Sequence, residues 1–180
     1  MPTEPLRILF VCTANICRSA YAEVVARSLV PDGSLEFSSA GVHGWRDHPL
    51  EEEMAAVLPA GVSADGFRSR PLTAAMVERA DLVLTMEADQ RTRLLQEHPA
   101  AFRKVFTLGQ AARTLTRLCA DAAEGTDRAE LLRRLAGARG SADPALDVAD
   151  PYRRGPAAAE AAATRIRELL DVVLNALRTP

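Results

Sequence analysis

The amino-acid sequence predicts an α/β fold: a single three-layer domain whose four-stranded parallel sheet is covered by helices on both faces. Two observations lead to this prediction. Short runs rich in Ile, Val and Phe alternate with stretches whose apolar residues recur at helical spacing, which is typical of βαβ units. The 180 residues, 48% of them hydrophobic, suit one domain with a full core. We therefore expect residues 1–180 to form one domain, with ligands beyond the carboxyl ends of the strands.

The first half of the chain begins with a predicted strand at 7–13 (RILFVCT), a continuous apolar run of the kind found in parallel sheets. After a short polar loop, apolar residues recur at helical spacing over 21–29, and the Pro-Asp-Gly sequence at 31–33 ends that helix. A second strand at 35–39 and a helix at 50–58 follow, separated by a loop that contains two glycines.

The second half repeats the alternation. A buried strand is predicted at 81–86 (DLVLTM), a helix at 87–98 and a fourth strand at 104–108. The last helix begins near Pro156, because proline is tolerated in the first helical turn. Its apolar residues form one face between 166 and 177.

The stretch 109–146 has the weakest pattern and is rich in Ala, Arg, Gly and Asp. We expect a helical insertion there, with short helices at 111–118 and 130–135. Partial disorder near 137–143 is the alternative for its glycine-containing part.

Composition excludes several classes of protein. A net charge of −2 favours neither nucleic acid nor membrane as a partner, and no run of about 18 apolar residues indicates a transmembrane helix. Residues 1–7 lack the basic start of a signal peptide. Three cysteines, an odd and low number, favour a reducing cytoplasm, and the three scattered histidines lack metal-ligand spacing. With a single lysine, Lys104, the composition is typical of a GC-rich bacterial genome. We expect no cofactor and no metal, and the oligomeric state stays open.

The strongest chemical signal is a cysteine followed, after five residues, by an arginine, between the first strand and the first helix. Such a loop can wrap its backbone N–H groups around a tetrahedral anion at the helix N-terminus. Arg18 would hold two phosphate oxygens, and Cys12 would point at phosphorus as a thiolate. The Ser19 hydroxyl can donate a hydrogen bond to that thiolate. The alternative is a buried cysteine beside a surface arginine.

The sequence CTANICRS at 12–19 resembles the signature loop of low-molecular-weight protein tyrosine phosphatases. Further similarities follow in the family's order: 39–41 (SAG), Trp45, 69–70 (SR), 80–86 (ADLVLTM) and 150–152 (DPY). The resemblance covers nearly the whole chain. It implies a cytoplasmic enzyme that hydrolyses phosphotyrosine on proteins, a bacterial tyrosine kinase being one candidate substrate.

A phosphocysteine mechanism also needs a proton donor for the leaving oxygen and later a base for water. Three carboxyl groups are candidates: Asp143, Asp147 and Asp150. Asp150 precedes Pro151, Tyr152 and the last helix, as in the resembled family, so we assign the role to it and interpret the other two as turn residues.

The remaining site residues are assigned supporting roles. Thr13, Ala14, Asn15, Ile16 and Cys17 form the loop with Ser19. Asn15 either fixes the loop by hydrogen bonds or occupies a plain turn. Alanine resists positive φ, so Ala14, where the family usually has glycine, requires an ordinary backbone or some strain, and its effect on activity is open.

The resemblance also implies that Cys17 bonds to an oxidised Cys12 and protects it, with a small buried residue as the alternative. Cys119 is expected to be buried. Trp45 and Tyr152 are candidates for the walls of the substrate cleft, although Trp45 equally suits a cap on the core.

Three other functions compete. Protein arginine phosphatases resemble this loop but carry threonine where this chain has Ile16, which suits an aromatic leaving group better. Arsenate reductases need additional cysteines downstream, where this chain has Cys119 alone. A non-catalytic phosphoprotein-binding module is the third, although every expected catalytic residue is present.

Overall fold

The computed structural model describes residues 4–121, 126–138 and 140–178. Within these ranges the structure has four strands and seven helices, and strands alternate with helices as the sequence predicts. The strands are β1 (Leu6–Cys12), β2 (Leu35–Gly41), β3 (Leu82–Thr85) and β4 (Val105–Thr107). The helices are α1 (Arg18–Leu29), α2 (Glu52–Ala56), α3 (Ala74–Arg79), α4 (Ala88–Glu97), α5 (Leu108–Ala120), α6 (Arg128–Gly137) and α7 (Pro156–Arg178).

The four strands form one parallel sheet in the order β2-β1-β3-β4. β1 is central, and its register pairs Leu6 with Leu35 and Cys12 with Gly41. The consecutive residues Leu9, Phe10 and Val11 are all fully buried. A strand buried on both faces reads as a continuous apolar run, which is why β1 is so clear in the sequence.

Helices cover both faces of the sheet, and each face has its own apolar core. α1, α5 and α7 pack on the face that carries Ile8 and Phe10. α3 and α4 pack on the face that carries Leu9 and Val11. The predicted three-layer α/β architecture is therefore confirmed.

Some element boundaries differ from the predictions. α3 was not predicted because it has only six residues and no helical repeat; the Thr73 side chain caps it by accepting a hydrogen bond from Met76 N. The helix predicted at 50–58 is shorter, because Glu51 caps it and it ends at Ala56. Leu108, predicted as a strand residue, begins α5 instead.

The weakly patterned stretch 109–146 contains most of α5, all of α6 and a 3₁₀ turn at Pro144–Leu146. Leu115 and Leu135 are fully buried in the α1–α5–α7 core, so helices of this stretch contribute to it. Residue 139, inside the part for which disorder was the alternative, lies outside the described residues. That the stretch is an insertion stays a prediction.

The prediction that Cys119 is buried is wrong. Cys119 is exposed near the end of α5, because the apolar face of that helix is formed by residues such as Ala111 and Leu115. Among the described residues, no helix is both long and apolar enough to cross a membrane.

Candidate active site

The predicted loop lies at the crevice of the sheet. Cys12 is the last residue of β1, and residues 13–17 lead directly into α1 at Arg18. The connection after β1 leads toward β2, whereas the connection after β3 leads toward β4 at the opposite edge. Open α/β sheets bind ligands at the carboxyl end of such a switch in direction. The Cys12 loop and the start of α4 therefore border the expected site.

The sulfur of Cys12 receives two hydrogen-bond donors. Asn15 N–H donates to Cys12 Sγ at 3.3 Å, and Ser19 Oγ lies 2.9 Å from the same sulfur. The Asn15 side-chain amide donates to Ser19 Oγ at 2.9 Å, so the hydroxyl hydrogen of Ser19 can go to Cys12 Sγ at 2.9 Å or to the more distant Ala40 O at 3.5 Å, and the sulfur is the nearer acceptor. Donors directed at sulfur favour the thiolate, which is the nucleophilic form of cysteine.

Asn15 is the centre of a buried polar chain. Its φ of 61° is in the left-handed region that asparagine tolerates. Its amide also donates to Ser39 Oγ at 2.8 Å, and its Oδ1 accepts from Arg70 N at 2.9 Å. Ser39 Oγ in turn donates to Glu23 Oε2 at 2.5 Å. Asn15 thus fixes the loop by hydrogen bonds, and this chain links Glu23 to the hydroxyl that serves Cys12.

Sequence reasoning missed Glu23 and Ser39. Both are fully buried, and burial of an ionisable side chain requires a compensating partner. Arg27 supplies it, at 2.6 Å from Glu23 Oε1. The available signal was the position of Glu23, one helical turn after Ser19 on α1.

The carbonyl groups of the loop are held by the segment that follows β2. Four of them accept hydrogen bonds of 2.8–3.1 Å from backbone amides: Cys12 O from Val42, Thr13 O from His43, Ala14 O from Trp45 and Ile16 O from Glu51. Carbonyl oxygens would repel an anion, and these bonds occupy them. Gly41 permits the approach, since a Cβ there would lie 2.6 Å from Thr13 O.

Ala14 has an ordinary backbone conformation. The non-glycine residues with positive φ in the described chain are Asn15, Asp47 and Arg153. Alanine at position 14 is therefore compatible with the loop and adds no left-handed strain. Of its neighbours, Thr13 Oγ1 accepts from Gln90 Nε2 at 3.2 Å.

Arg18 is held at the mouth of the loop with one donor free. Its side chain is only 2% exposed. Nη1 donates to Val148 O at 2.8 Å and pairs with Glu87 Oε1 at 2.7 Å, while Nη2 lies 3.4 Å from Asp150 Oδ2. The buried Nε has no hydrogen-bond partner among the described residues. Buried donors are rarely left unpaired, so this Nε–H fits an oxygen of a bound anion.

Glu87 is a third residue that sequence reasoning missed as part of the site. It is the N-cap of α4, where it forms a capping box with Gln90. Gln90 Nε2 donates to Glu87 Oε2 at 2.8 Å as well as to Thr13. The sequence placed Glu87 at the start of a helix after β3, but only the strand order brings that helix start beside Arg18.

The three acid candidates lie in different surroundings. Asp150 contacts Arg18 and accepts from Tyr152 N at 3.3 Å, and its side chain is 43% exposed. Asp147 Oδ1 accepts from Ala88 N at 2.9 Å. Asp143 caps the 3₁₀ turn and pairs with Arg113. Asp150 therefore combines contact with Arg18 and access to solvent, as a proton donor at the site requires.

Cys17 is buried at the start of α1 as a free thiol. Burial, with smaller contributions from the negative groups Glu51, Cys12 and Asp150, raises the pKa of Cys17 to about 12. Cys17 therefore stays protonated near neutral pH and is no competitor to Cys12 as nucleophile.

Two aromatic side chains stand together at the surface near residues 147–152, a segment that carries Asp147 and Asp150 and that we call the acid loop. The rings of Trp45 and Tyr152 meet edge to face, with centroids 6.2 Å apart. Trp45 is 43% exposed, so it does not cap the core. Arg153 lies over the Tyr152 ring with its Cζ 5.0 Å from the centroid, and His48 packs on Trp45. Such a pair offers an apolar wall to an aromatic ligand.

Comparisons with known proteins agree on one family. Residues 7–114 match the family model of low molecular weight phosphotyrosine protein phosphatases. The chain is 28% identical over 172 residues to the probable low molecular weight protein-tyrosine-phosphatase EpsP of Ralstonia nicotianae, covering 95% of each chain. It is 39% identical over 104 residues to Etp of Escherichia coli, a low molecular weight protein-tyrosine-phosphatase, covering 57% of this chain and 69% of Etp.

A solved structure extends this likeness to the fold. The YwlE arginine phosphatase from Geobacillus stearothermophilus superimposes with a TM-score of 0.74 at 28% identity, covering 97% of this chain and 94% of that one.

Proposed function

Because the chain belongs to the low-molecular-weight protein tyrosine phosphatase family, we propose that it hydrolyses phosphotyrosine on proteins through a covalent phosphocysteine. The observation that carries the proposal is the arrangement around Cys12: two donors on its sulfur, with Arg18 beside it presenting an unpaired buried Nε–H. The donors stabilise a thiolate, and the free Arg18 N–H can bind an oxygen of a phosphoryl group next to it.

In the first step the Cys12 thiolate attacks phosphorus, and the bond from phosphorus to the phenolic oxygen breaks. Arg18 and the loop N–H groups stabilise the charge on the equatorial oxygens. Asp150 protonates the departing phenolate. An incoming phosphate dianion takes over the Arg18 contact that Asp150 makes at 3.4 Å.

In the second step Asp150, now a carboxylate, accepts a proton from water as that water attacks phosphorus. The sulfur–phosphorus bond breaks and inorganic phosphate leaves, which restores the Cys12 thiolate. The donors from Asn15 and Ser19 make the thiolate a good leaving group in this step, just as they favour it as nucleophile in the first.

The aromatic wall and Ile16 support phosphotyrosine as the substrate class. Trp45 and Tyr152 present ring surface next to the acid loop, where a phenyl ring would lie. A tyrosine kinase that carries phosphotyrosine is one candidate substrate, and the cytoplasm, which keeps Cys12 reduced, is the proposed location.

Phosphoarginine is the second candidate substrate, because the chain resembles an arginine phosphatase across 97% of its length. Hydrolysis rates measured on peptides that carry phosphotyrosine or phosphoarginine distinguish the two candidates. Arsenate reduction is disfavoured, since Cys119 lies near the end of α5 without a neighbouring cysteine in the sequence.

The first experiment measures release of phosphate from a phosphotyrosine peptide between about pH 5 and pH 8, with parent protein and four variants. Cys12→Ser removes the nucleophile, and we expect no turnover. Asp150→Asn removes the proton donor, and we expect a loss of about 100-fold in kcat. Asp147→Asn and Asp143→Asn are matched controls that should keep turnover.

Rapid mixing with p-nitrophenyl phosphate then tests the covalent intermediate. A burst of nitrophenol, with phosphate trapped on Cys12, is expected from the parent. A protein that binds the phosphopeptide without a burst or turnover would be a binding module, and full activity in Asp150→Asn with loss in Asp147→Asn would reverse the assignment of the acid.

A further inference from the structure

A cavity of about 310 Å³ opens at the edge of the sheet beside β2, away from the mouth of the Cys12 loop. Four of its lining residues are arginines and one is a glutamate: Arg7, Arg27, Arg70, Arg79 and Glu36. Three carboxylates, those of Asp81, Glu23 and Glu36, pair with these four arginines, so the cavity and its partners carry one positive charge in excess. We call it the arginine cavity.

Two of the four guanidinium groups are firmly paired and two are not. Arg7 makes a bidentate pair with Asp81, and Arg27 contacts Glu23 at 2.6 Å. Arg70 pairs with Glu23 at the longer distance of 3.7 Å, and Arg79 pairs with Glu36 at 4.0 Å. The side chains of Arg70 and Arg79 are 44% and 73% exposed. These two groups keep donors available to a ligand.

We propose that the arginine cavity binds a compact polyvalent anion of the phosphate class. A guanidinium presents its N–H donors in a planar fork that matches two oxygens of one phosphate group, and several such forks suit an anion with more than one charge. A peptide added as an extra strand fits less well, because Arg27 Nη2 donates to Phe37 O at 3.0 Å and so covers a carbonyl of the edge strand.

The arginine cavity is connected to the catalytic loop through buried hydrogen bonds. The backbone N–H of Arg70 donates to Asn15 Oδ1, and the partner of its side chain, Glu23, accepts from Ser39. Asn15 holds both Ser39 and Ser19. An anion that draws the Arg70 guanidinium away from Glu23 changes the charge at one end of a chain whose other end is Cys12. Occupancy of the arginine cavity therefore alters turnover.

The direct test is titration of inorganic pyrophosphate into ¹⁵N-labelled protein, followed by amide chemical shifts. Signals from the Cys12 loop report on the catalytic site, whereas those of Glu36, Ser38 and Arg79 report on the arginine cavity. We expect the amide chemical shifts of the residues in the arginine cavity to change as pyrophosphate is added and then to saturate. Arg79→Gln should weaken that response about fivefold, the effect of losing one partly exposed charged contact, while the loop response persists. Arg103→Gln, outside the arginine cavity, is the matched control.

Movement of the loop signals alone, or an unchanged second response in Arg79→Gln, would overturn the proposal. Because the readout is binding, it does not depend on the chain being an active phosphatase. A kinetic measurement then tests the connection: pyrophosphate competing only at the loop leaves kcat unchanged, whereas occupancy of the arginine cavity changes kcat in the parent and less so in Arg79→Gln. An unaltered kcat in the parent would refute the connection.

Discussion

The single hydroxyl hydrogen of Ser19 shows what residue-scale geometry adds to the motif. The motif predicts that Ser19 donates to Cys12, but a hydroxyl has one hydrogen and several possible acceptors. The amide of Asn15 occupies Ser19 Oγ as a donor, so the hydroxyl hydrogen can serve the sulfur at 2.9 Å. The orientation of Asn15 is itself fixed, because its oxygen accepts from a backbone N–H. Asn15 is therefore a positioning residue for the nucleophile.

The second cysteine of the loop leads to a prediction at the same scale. Peroxide oxidises the Cys12 thiolate to a sulfenic acid, which condenses with the Cys17 thiol and releases water to give a disulfide. A thiol reductant then restores both cysteines. Without Cys17 a second equivalent of peroxide converts the sulfenic acid to the irreversible sulfinic acid. We expect Cys17→Ser to recover much less activity than the parent when reductant follows peroxide.

Activity regained after dithiothreitol is the measurement, and Cys119→Ser is the matched control, since Cys119 is exposed and distant in sequence from the loop. Equal recovery by Cys17→Ser and the parent would show that the disulfide is not protective. Because the pKa of Cys17 is about 12, its reactive thiolate is scarce near neutral pH, and protection should strengthen as the pH rises.

At the scale of elements, the acid loop is attached to the start of α4. Val148 N donates to Met86 O at 2.9 Å, Arg18 donates to Val148 O, and Ala88 N donates to Asp147 Oδ1. These three contacts fix the backbone just before Asp150. Asp147, interpreted from the sequence as a turn residue, thus anchors the backbone just before Asp150, the proposed acid.

Substitutions of Asp147 separate anchoring from charge. Asp147→Ala removes the acceptor for Ala88 N, and we expect kcat to fall about tenfold with little change in KM, because Asp150 is less well positioned. Asp147→Asn keeps an oxygen acceptor and should keep kcat. Steady-state kinetics on a phosphotyrosine peptide distinguish the two variants, and equal kcat values for Asp147→Ala and the parent would refute the anchoring role.

Charge gives Asp147→Asn a second expected effect. Burial raises the pKa of Asp147, only partly offset by the Ala88 amide, and the negative charges of Glu87 and Asp89 add to it. The folded state thus binds the proton more tightly than the unfolded state, so stability falls as the pH rises from the ordinary carboxyl range through the folded pKa. Asp147→Asn should therefore raise Tm at neutral pH but not at about pH 3.

At the scale of the whole molecule, an ion pair joins the amino ends of the two central strands, β1 and β3. Arg7 at the start of β1 donates through its backbone N, Nε and Nη2 to Asp81, just before β3, with distances of 2.9–3.0 Å. Seventy-four positions separate the two residues. This pair closes the amino end of the central strands, while Cys12 and Arg18 occupy the carboxyl end.

The Arg7–Asp81 pair leads to a prediction about acid stability. Burial alone would raise the pKa of Asp81, but the hydrogen bonds and charge of Arg7 outweigh it and hold that pKa below its ordinary value. A lowered carboxyl pKa stabilises the fold above the unfolded value of about 3.9, and this contribution is lost as the pH falls through the folded pKa. Asp81→Asn should therefore lower Tm by a few degrees at pH 7.

Thermal unfolding at a series of pH values tests this dependence. The difference in Tm between parent and Asp81→Asn should shrink steadily below about pH 4, where the parent carboxylate takes up its proton. Glu97→Gln is the matched control, because Glu97 is also acidic but lies outside the pair. A difference that persists unchanged at low pH would assign the effect to packing and not to charge.

The sequence by itself determined the features that depend on local order along the chain. Continuous apolar runs identify buried strands, helical repeats identify the main helices, and the spacing from Cys12 to Arg18 identifies the loop, because each pattern lies within a few neighbouring residues. The proposed role of Asp150 also rests on local order, since Pro151 and Tyr152 follow it directly.

Only the tertiary structure decided which distant residues meet. Glu87 reaches Arg18 because the strand order places the ends of β1 and β3 side by side, and no local pattern encodes that order. Ser39 and the Arg70 backbone likewise reach Asn15, and Ser39 reaches Glu23, across separations in sequence that no local pattern spans. Packing of the chain buries Cys17, which keeps its thiol protonated near neutral pH, and leaves Cys119 exposed. The local sequence of the loop therefore supplies Cys12 and its nearest hydrogen-bond donors, whereas long-range packing supplies the charged and polar groups around the loop.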